Sequence, residues 1–336
     1  MKKTLKIILI VLAAVLVIGA VGMTAYTGHL VVVNSTQLSH AVDEVDVPYN
    51  VYKAYHLDYD AFRAKYRSEK ISLTSSMKDG HAIPADYIYA EGVESRDHDT
   101  VIMVHGMGGN RMTVYPVAQV FLENGYNVLA YDQRSSGENM ALHTTFGYLE
   151  KFDLLDCAKA VKSWAPDKKM GVWGASFGGI TSVLAVCDPS LGITAGTDFL
   201  ILDSPISNME DELRVVMGSD DSGVPETDIP IDYLIWSGNI MNRIELGFSY
   251  KDADGRHIIG TRKNQSTSGN RDVPLLIFIC DKDELTPYPQ GADLYEVYRG
   301  ENRTLVTFEG SKHADGWRDH EAEYREAVET LLNSLD

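Results

Sequence analysis

The sequence predicts an α/β domain: a doubly wound, mostly parallel sheet carrying a helical insertion, preceded by an N-terminal transmembrane helix. Three observations carry this expectation. Short apolar runs alternate with amphipathic stretches from Ile83 onward, the rhythm of strands joined by helical crossovers. Several runs are almost continuously apolar instead of alternating, as strands covered on both faces are. One junction, Met170-Gly171-Val172-Trp173 followed by Gly174-Ala175-Ser176-Phe177-Gly178-Gly179 and Ile180 to Val186, reads as strand, tight turn and helix.

The chain starts with Lys2, Lys3 and Lys6, then runs 17 residues from Ile7 to Met23 without a charge or strongly polar group. A helix from Ile7 to Ala25 would be roughly 28 Å long, close to the roughly 30 Å hydrocarbon core of a bilayer. An uncleaved signal anchor over residues 1–25 is therefore expected. The competing expectation is a cleaved export signal and a secreted protein, for which Met23-Thr24-Ala25 is a weak cleavage site. No lysine or arginine follows the run until Lys53, so the positive-inside rule keeps the N-terminus cytoplasmic and the rest of the chain outside the cell membrane.

Residues 26–80 are rich in tyrosine (Tyr26, Tyr49, Tyr52, Tyr55, Tyr59, Tyr66) with a helical patch from Tyr59 to Tyr66. They read as a membrane-proximal segment docked on the domain that follows, residues 81–336. Within it, strands are expected at Tyr87–Ala90, Thr100–Val104, Asn127–Tyr131, Met170–Trp173, Phe199–Leu202, Leu275–Cys280 and Thr304–Phe308. Helices are expected at Thr113–Asn124, Phe152–Trp164, Ile180–Cys187, Gly291–Tyr298 and His320–Leu335. From about 204 to 272 the rhythm breaks into helical patches without a sheet-like run. Tyr233, Trp236, Ile240 and Ile244 recur there at helical spacing, with Met209, Leu213, Val216, Met217 and Phe248, the pattern of an insertion with its own small core.

Composition narrows the function. Lys and Arg number 30 against 48 Asp and Glu, a formal charge of -18, with clusters such as Glu210-Asp211-Glu212 and Asp220-Asp221. A nucleic-acid partner is not expected from such a surface. Cys157, Cys187 and Cys280 stand far apart in apolar segments, as buried small hydrophobes do, with no C-x-x-C pair for a metal or redox centre. No cofactor is expected, and the oligomeric state is not encoded in any motif.

The chemistry centres on Ser176. A serine hydroxyl is a poor nucleophile unless it is held clear of the fold next to a base, which a strained strand-to-helix turn achieves. Gly174 and Gly178 leave the space that side chains would fill. The helix behind Ser176 offers the Phe177 N–H to a developing oxyanion. A second donor is expected from the turn His105-Gly106-Met107-Gly108-Gly109-Asn110 after the Thr100–Val104 strand, with the Met107 N–H aimed inward and His105 holding the loop. The strand Leu275–Cys280 runs into Asp281-Lys282-Asp283-Glu284-Leu285-Thr286-Pro287, and the strand Thr304–Phe308 into Glu309-Gly310-Ser311-Lys312-His313. Candidate acid and base thus follow the serine in the order serine, acid, histidine, each at the end of a strand. A solvated Asp or His in a loop is the commoner reading of either residue alone; the joint placement is what favours catalysis.

These motifs resemble the α/β-hydrolase superfamily, specifically bacterial membrane-anchored or secreted hydrolases with a lid after the sixth strand, over roughly residues 80–335. His105 to Asn110 is similar to the H-G-x-x-x-N oxyanion turn and Asp132-Gln133-Arg134-Ser135-Ser136-Gly137 to the D-x-R-x-x-G loop. The resemblance implies an α/β-hydrolase fold with a lid at about 204–272 and a serine hydrolase acting on carboxylic esters or lysophospholipid-like acyl substrates. Its implied triad is Ser176, Asp283 and His313, with Met107 and Phe177 as oxyanion donors and Asp132 and Arg134 supporting the loops. Aligning the family's G-x-x-D-x-x-x-P acid turn on its proline selects Asp283 over Asp281, although Cys280 replaces the usual glycine; Asp203 is a second rival expected to be structural, and His320 a surface residue. A peptidase of the oligopeptidase type, or a non-catalytic surface binding protein on the same fold, are the alternatives.

Overall fold

The computed structural model of the full chain describes residues 2–37, 46–188, 190–191, 196–218, 229–261 and 273–335. Asp220-Asp221 and the stretches 219–228 and 262–272 of the expected insertion lie outside the described residues.

One eight-stranded sheet organises the molecule, in the order β1-β2-β4-β3-β5-β6-β7-β8. Its strands are β1 (Ser68–Thr74), β2 (Ala82–Ile88), β3 (Thr100–Val104), β4 (Asn127–Tyr131), β5 (Met170–Ala175), β6 (Phe199–Asp203), β7 (Leu275–Cys280) and β8 (Arg303–Phe308). The pairings β1–β2 and β2–β4 are antiparallel and the remaining five are parallel. The sequence therefore marks the parallel strands closely. In β3 the side chains alternate between two cores, with Val101 and Met103 in one cluster and Ile102 and Val104 in the other. A strand covered on both faces by apolar layers is what a near-continuous apolar run encodes.

The sheet begins earlier than expected. β1 lies inside the segment read as membrane-proximal, and its residues alternate between exposed and half-buried. An edge strand with one solvated face carries no continuous apolar signal. Before it, α1 (Lys2–Thr36), α2 (Asp46–Ala54) and α3 (Tyr59–Lys65) lead onto the domain, where Tyr52, Phe62 and Tyr66 join the core beneath α4 (Tyr115–Glu123).

The crossovers are α5 (Glu150–Trp164), α6 (Phe177–Val186), α10 (Pro289–Val297) and, past the short α11 (Gly316–Asp319), α12 (Glu321–Asn333). Between β6 and β7 come α7 (Met209–Gly218), α8 (Ile231–Glu245) and α9 (Gly255–Thr261). These elements share a third apolar cluster, in which Met209, Leu213, Ile235 and Phe248 pack with Phe177 and Ile180 of α6. The insertion core is thus continuous with the helix that follows Ser176. All three cysteines are buried thiols.

Candidate active site

Ser176 occupies the turn between β5 and α6 with φ 52 and ψ -118, a left-sided conformation that a non-glycine residue holds only when its surroundings enforce it. They do so from both sides. The Ser176 N–H donates to the Asp203 carbonyl at 2.8 Å, and the Ser176 carbonyl accepts from Gly179 at 2.9 Å and Ile206 at 3.1 Å. A Cβ on Gly174 would stand 2.3 Å from the Gly178 carbonyl oxygen, and one on Gly178 2.0 Å from that of Val104. Both positions are close backbone contacts that exclude any side chain.

The turn after β3 lies directly against this elbow. A Cβ on Gly106 would come within 3.4 Å of Ser176 Cβ. Its conformation is set by His105, which is buried, donates through Nδ1 to the Gly106 carbonyl at 2.7 Å and accepts at Nε2 from the Gln133 N–H at 3.0 Å. Burial pushes the His105 pKa down, against the nearby charge of Asp132. Both its nitrogens are engaged by backbone, so His105 holds the loop and faces no reacting group. The N–H groups of Met107 and Phe177 donate to no other group among the described residues, which leaves two backbone donors on either side of Ser176.

The acid turn and the last strand bring Asp283 and His313 together. Leu285 and Thr286 N–H groups donate to Asp283 Oδ1 at 3.0 and 2.7 Å, and His313 Nδ1 lies 2.8 Å from Asp283 Oδ2. Thr286 completes the group: its Oγ1 is 2.8 Å from Asp283 Oδ2 and 3.1 Å from His313 Nδ1. Sequence reasoning missed this threonine, although the Asp-x-x-Thr spacing is that of a side chain satisfying a tight turn. Burial pulls the His313 pKa down, but the hydrogen bond and charge of Asp283, with the charges of Asp203 and Glu212, outweigh it and the net direction is upward.

Ser176 and His313 line one cavity of about 240 Å³, together with Met107, Trp173, Asp203 and Tyr55. Tyr55, from the chain between α2 and α3, is the contribution no motif announced. A larger depression of about 510 Å³, walled by Glu210, Asp211, Asp252 and Asp254, holds neither of these two groups, so chemistry and not volume locates the site.

The remaining candidates stand farther out. Asp132 accepts from the Arg111 N–H at 2.8 Å and the Glu138 N–H at 2.9 Å and pairs with the Arg111 guanidinium, which also bonds Asp86 at 2.8 Å. It thereby ties the loop after β4 to the loop after β3. Arg134 pairs with Asp79 at 2.9 Å, contacts His81 at 3.2 Å and donates to the His143 carbonyl at 3.4 Å. Asp281 accepts from the Gly310 N–H, and His320 stacks on Phe308 with ring centroids 5.3 Å apart. Asp203 accepts from Tyr324 at 2.9 Å and has no hydrogen bond to His313.

Comparison with known proteins agrees with this architecture. A family model of the alpha/beta hydrolase fold matches residues 99–207, the stretch from β3 through α6 and β6. The uncharacterized protein YqkD of Bacillus subtilis is 25% identical over 264 residues, covering 77% of this chain and 80% of that protein. Among solved structures, the Pyrococcus furiosus esterase Pf2001 superposes with a TM-score of 0.60 at 20% identity, covering 82% of this chain and 96% of that one. The Exiguobacterium antarcticum esterase EaEST gives a TM-score of 0.53 at 18% identity, over 79% and 99%. At such identities the likeness is one of fold. The sheet order, the strand-turn-helix at its centre and the matched family model together show the alpha/beta hydrolase fold in this chain.

Proposed function

We propose that the protein is a serine hydrolase cleaving carboxylic esters through Ser176, His313 and Asp283. The observation that carries this reading is the meeting of a conformationally strained Ser176 with His313 in one cavity, while Asp283 grips the far nitrogen of the imidazole at 2.8 Å. In this mechanism His313 Nε2 takes the Ser176 hydroxyl proton as Oγ attacks the ester carbonyl carbon. The Met107 and Phe177 N–H groups stabilise the oxyanion, and the tetrahedral intermediate collapses with the His313 proton passing to the departing alcohol. Water, deprotonated by His313, then attacks the acyl-serine; carboxylic acid leaves and Ser176 recovers its proton. Asp283 keeps Nδ1 protonated and supports the imidazolium in both halves. The esterases of similar fold favour the ester class, and the small cavity with Tyr55, Met107 and Val114 in its wall suits a compact acyl group.

The same reading makes α1 an uncleaved single-pass anchor with the hydrolase domain outside the cell membrane. Support comes from Thr24, at the weak cleavage site: its hydroxyl bonds Tyr233 of α8 at 2.9 Å, and the helix continues unbroken to Thr36. From Ile7 to Met23 the helix is apolar and exposed.

A fluorophosphonate probe tests the nucleophile. Wild type is expected to label and Ser176→Ala not to. Equal labelling of both overturns Ser176 as nucleophile, and turnover of peptide amides without turnover of esters overturns the substrate class.

A further inference from the structure

We propose that the outer end of α1 and the lid helix α8 form a bilayer-contacting rim, with Tyr26, Tyr233 and Trp236 seated in the headgroup zone of the membrane that α1 crosses. The inference rests on the anchor reading above and adds the surface by which the hydrolase domain itself meets lipid.

The two helices pack side by side and run in the same direction. Thr24 Oγ1 lies 2.9 Å from the Tyr233 hydroxyl, and Thr27 Oγ1 donates to Ser237 Oγ at 3.3 Å. Farther out, His29 meets Glu245 at 2.9 Å. The approach is close: a Cβ on Gly28 would stand 2.3 Å from the Ser237 carbonyl oxygen, and one on Gly238 2.6 Å from Val31. Small residues at facing positions let the backbones meet, and Val31, against Gly238, is buried.

This register fixes a level. The uncharged apolar run of α1 ends at Met23, and contact with α8 begins one residue later, at Thr24. Trp236 stands three residues beyond Tyr233, about 5 Å farther along the shared direction at 1.5 Å per residue. The headgroup layer on each side of the hydrocarbon is about 5–7 Å thick. Tyr26, Tyr233 and Trp236 therefore fall within it, where aromatic rings with a polar tip are favoured.

Exposure agrees with that placement. Trp236 is 54% exposed and Tyr26 62% exposed, although neighbouring Ser237 is fully buried. Trp236 leans on Tyr233, ring centroids 5.7 Å apart. The adjacent carboxylate, Asp232, is paired with Arg214 at 3.3 Å. On the inner face of the same helix, Ile235 belongs to the cluster that contains Phe177, so the surface resting on lipid is packed through to the residue beside Ser176.

The test uses the full chain reconstituted into phosphatidylcholine vesicles, first floated on a density gradient, then examined for quenching of tryptophan emission by phosphatidylcholine brominated next to the headgroup. Trp173 and Trp317 are buried and Trp164 is partly buried, so Trp236 is the intended reporter. Wild type is expected to float and lose part of its emission, and Trp236→Phe to float and lose none of it. Floating protein whose quenching is the same in Trp236→Phe overturns the rim and leaves the anchor standing; protein that fails to float overturns both. As a second readout, Tyr233→Ala combined with Trp236→Ala is expected to slow hydrolysis of a vesicle-borne ester severalfold while leaving a water-soluble short ester unchanged. Equal loss on both esters counts against the rim.

Discussion

The Tyr324 hydroxyl donates to Asp203 Oδ2 at 2.9 Å, while Asp203 Oδ1, fully buried, has no partner among the described residues. A buried carboxylate satisfied on one oxygen only favours its neutral form. Burial accordingly raises the Asp203 pKa from 3.8 to about 7, with the Tyr324 hydrogen bond acting in the opposite direction. The Tyr324 hydroxyl in turn accepts from Trp173 Nε1 at 2.8 Å, so the chain of bonds runs from α12 through β5 to the cavity wall.

Because the folded pKa lies above the unfolded one, the folded state binds this proton more tightly. Its stabilising contribution is full below about pH 4 and is lost as pH rises toward 7. Asp203→Asn, a neutral group of the same shape, is expected to melt above wild type at pH 8 and to lose that advantage at pH 5. Thermal melts at the two pH values read the difference; an equal shift at both would show that the charge is not what the fold resists.

His313 carries a pH signature of its own. Its pKa is raised by Asp283, Asp203 and Glu212 against the effect of burial, and the proposed reaction needs the neutral imidazole. The acid limb of kcat/KM is therefore expected above the ordinary histidine value of about 6.5. Asp283→Asn removes the largest of the raising interactions and the tautomer control together. It should lower kcat by roughly 10⁴-fold and move the limb to lower pH. An unchanged limb would separate Asp283 from His313.

How far such groups can be read from the sequence depends on how local their causes are. β3, β5, β6 and β7 announce themselves because both faces are buried, and Ser176 and Asp283 stand out because each follows one of these strands, while His313 follows β8, whose residues are mostly half-buried or exposed. β1 is hidden because an edge strand is half solvated. Tyr55 is hidden for a different reason: it reaches the cavity only through docking of the segment before the sheet, a contact no periodicity encodes. Arg134 shows the converse, a motif residue whose side chain serves the Asp79–His81 group instead of the elbow.

Tyr55 is expected to limit the acyl group. Its ring shares the wall with Met107, Val114 and Val117 around a cavity of about 240 Å³. Tyr55→Ala should shift the kcat/KM optimum toward longer esters, each accommodated methylene being worth about 1 kcal/mol or more, and Tyr55→Phe should not. A series of esters differing only in acyl length gives the answer, and parallel losses across the series would mean that Tyr55 supports folding and not selection.

The elbow itself stores measurable strain. Ser176 holds φ 52, and Ser204 at φ 45 and Ala314 at φ 54 flank the same site, with the Ala314 N–H donating to Ser204 Oγ at 3.2 Å. A side chain in this region costs on the order of 1–3 kcal/mol that a glycine does not incur, partly offset by the larger entropy of an unfolded glycine. Ser176→Gly and Ser176→Ala both remove the hydroxyl, so both should be inactive. They should nevertheless differ in stability, Ser176→Gly lying about 1 kcal/mol above Ser176→Ala in denaturant unfolding. Gly178→Ala presses the other way, since its Cβ would fall 2.0 Å from the Val104 carbonyl oxygen. That contact involves backbone on both sides, so the turn after β3 must shift, and both stability and probe labelling of Ser176 should fall.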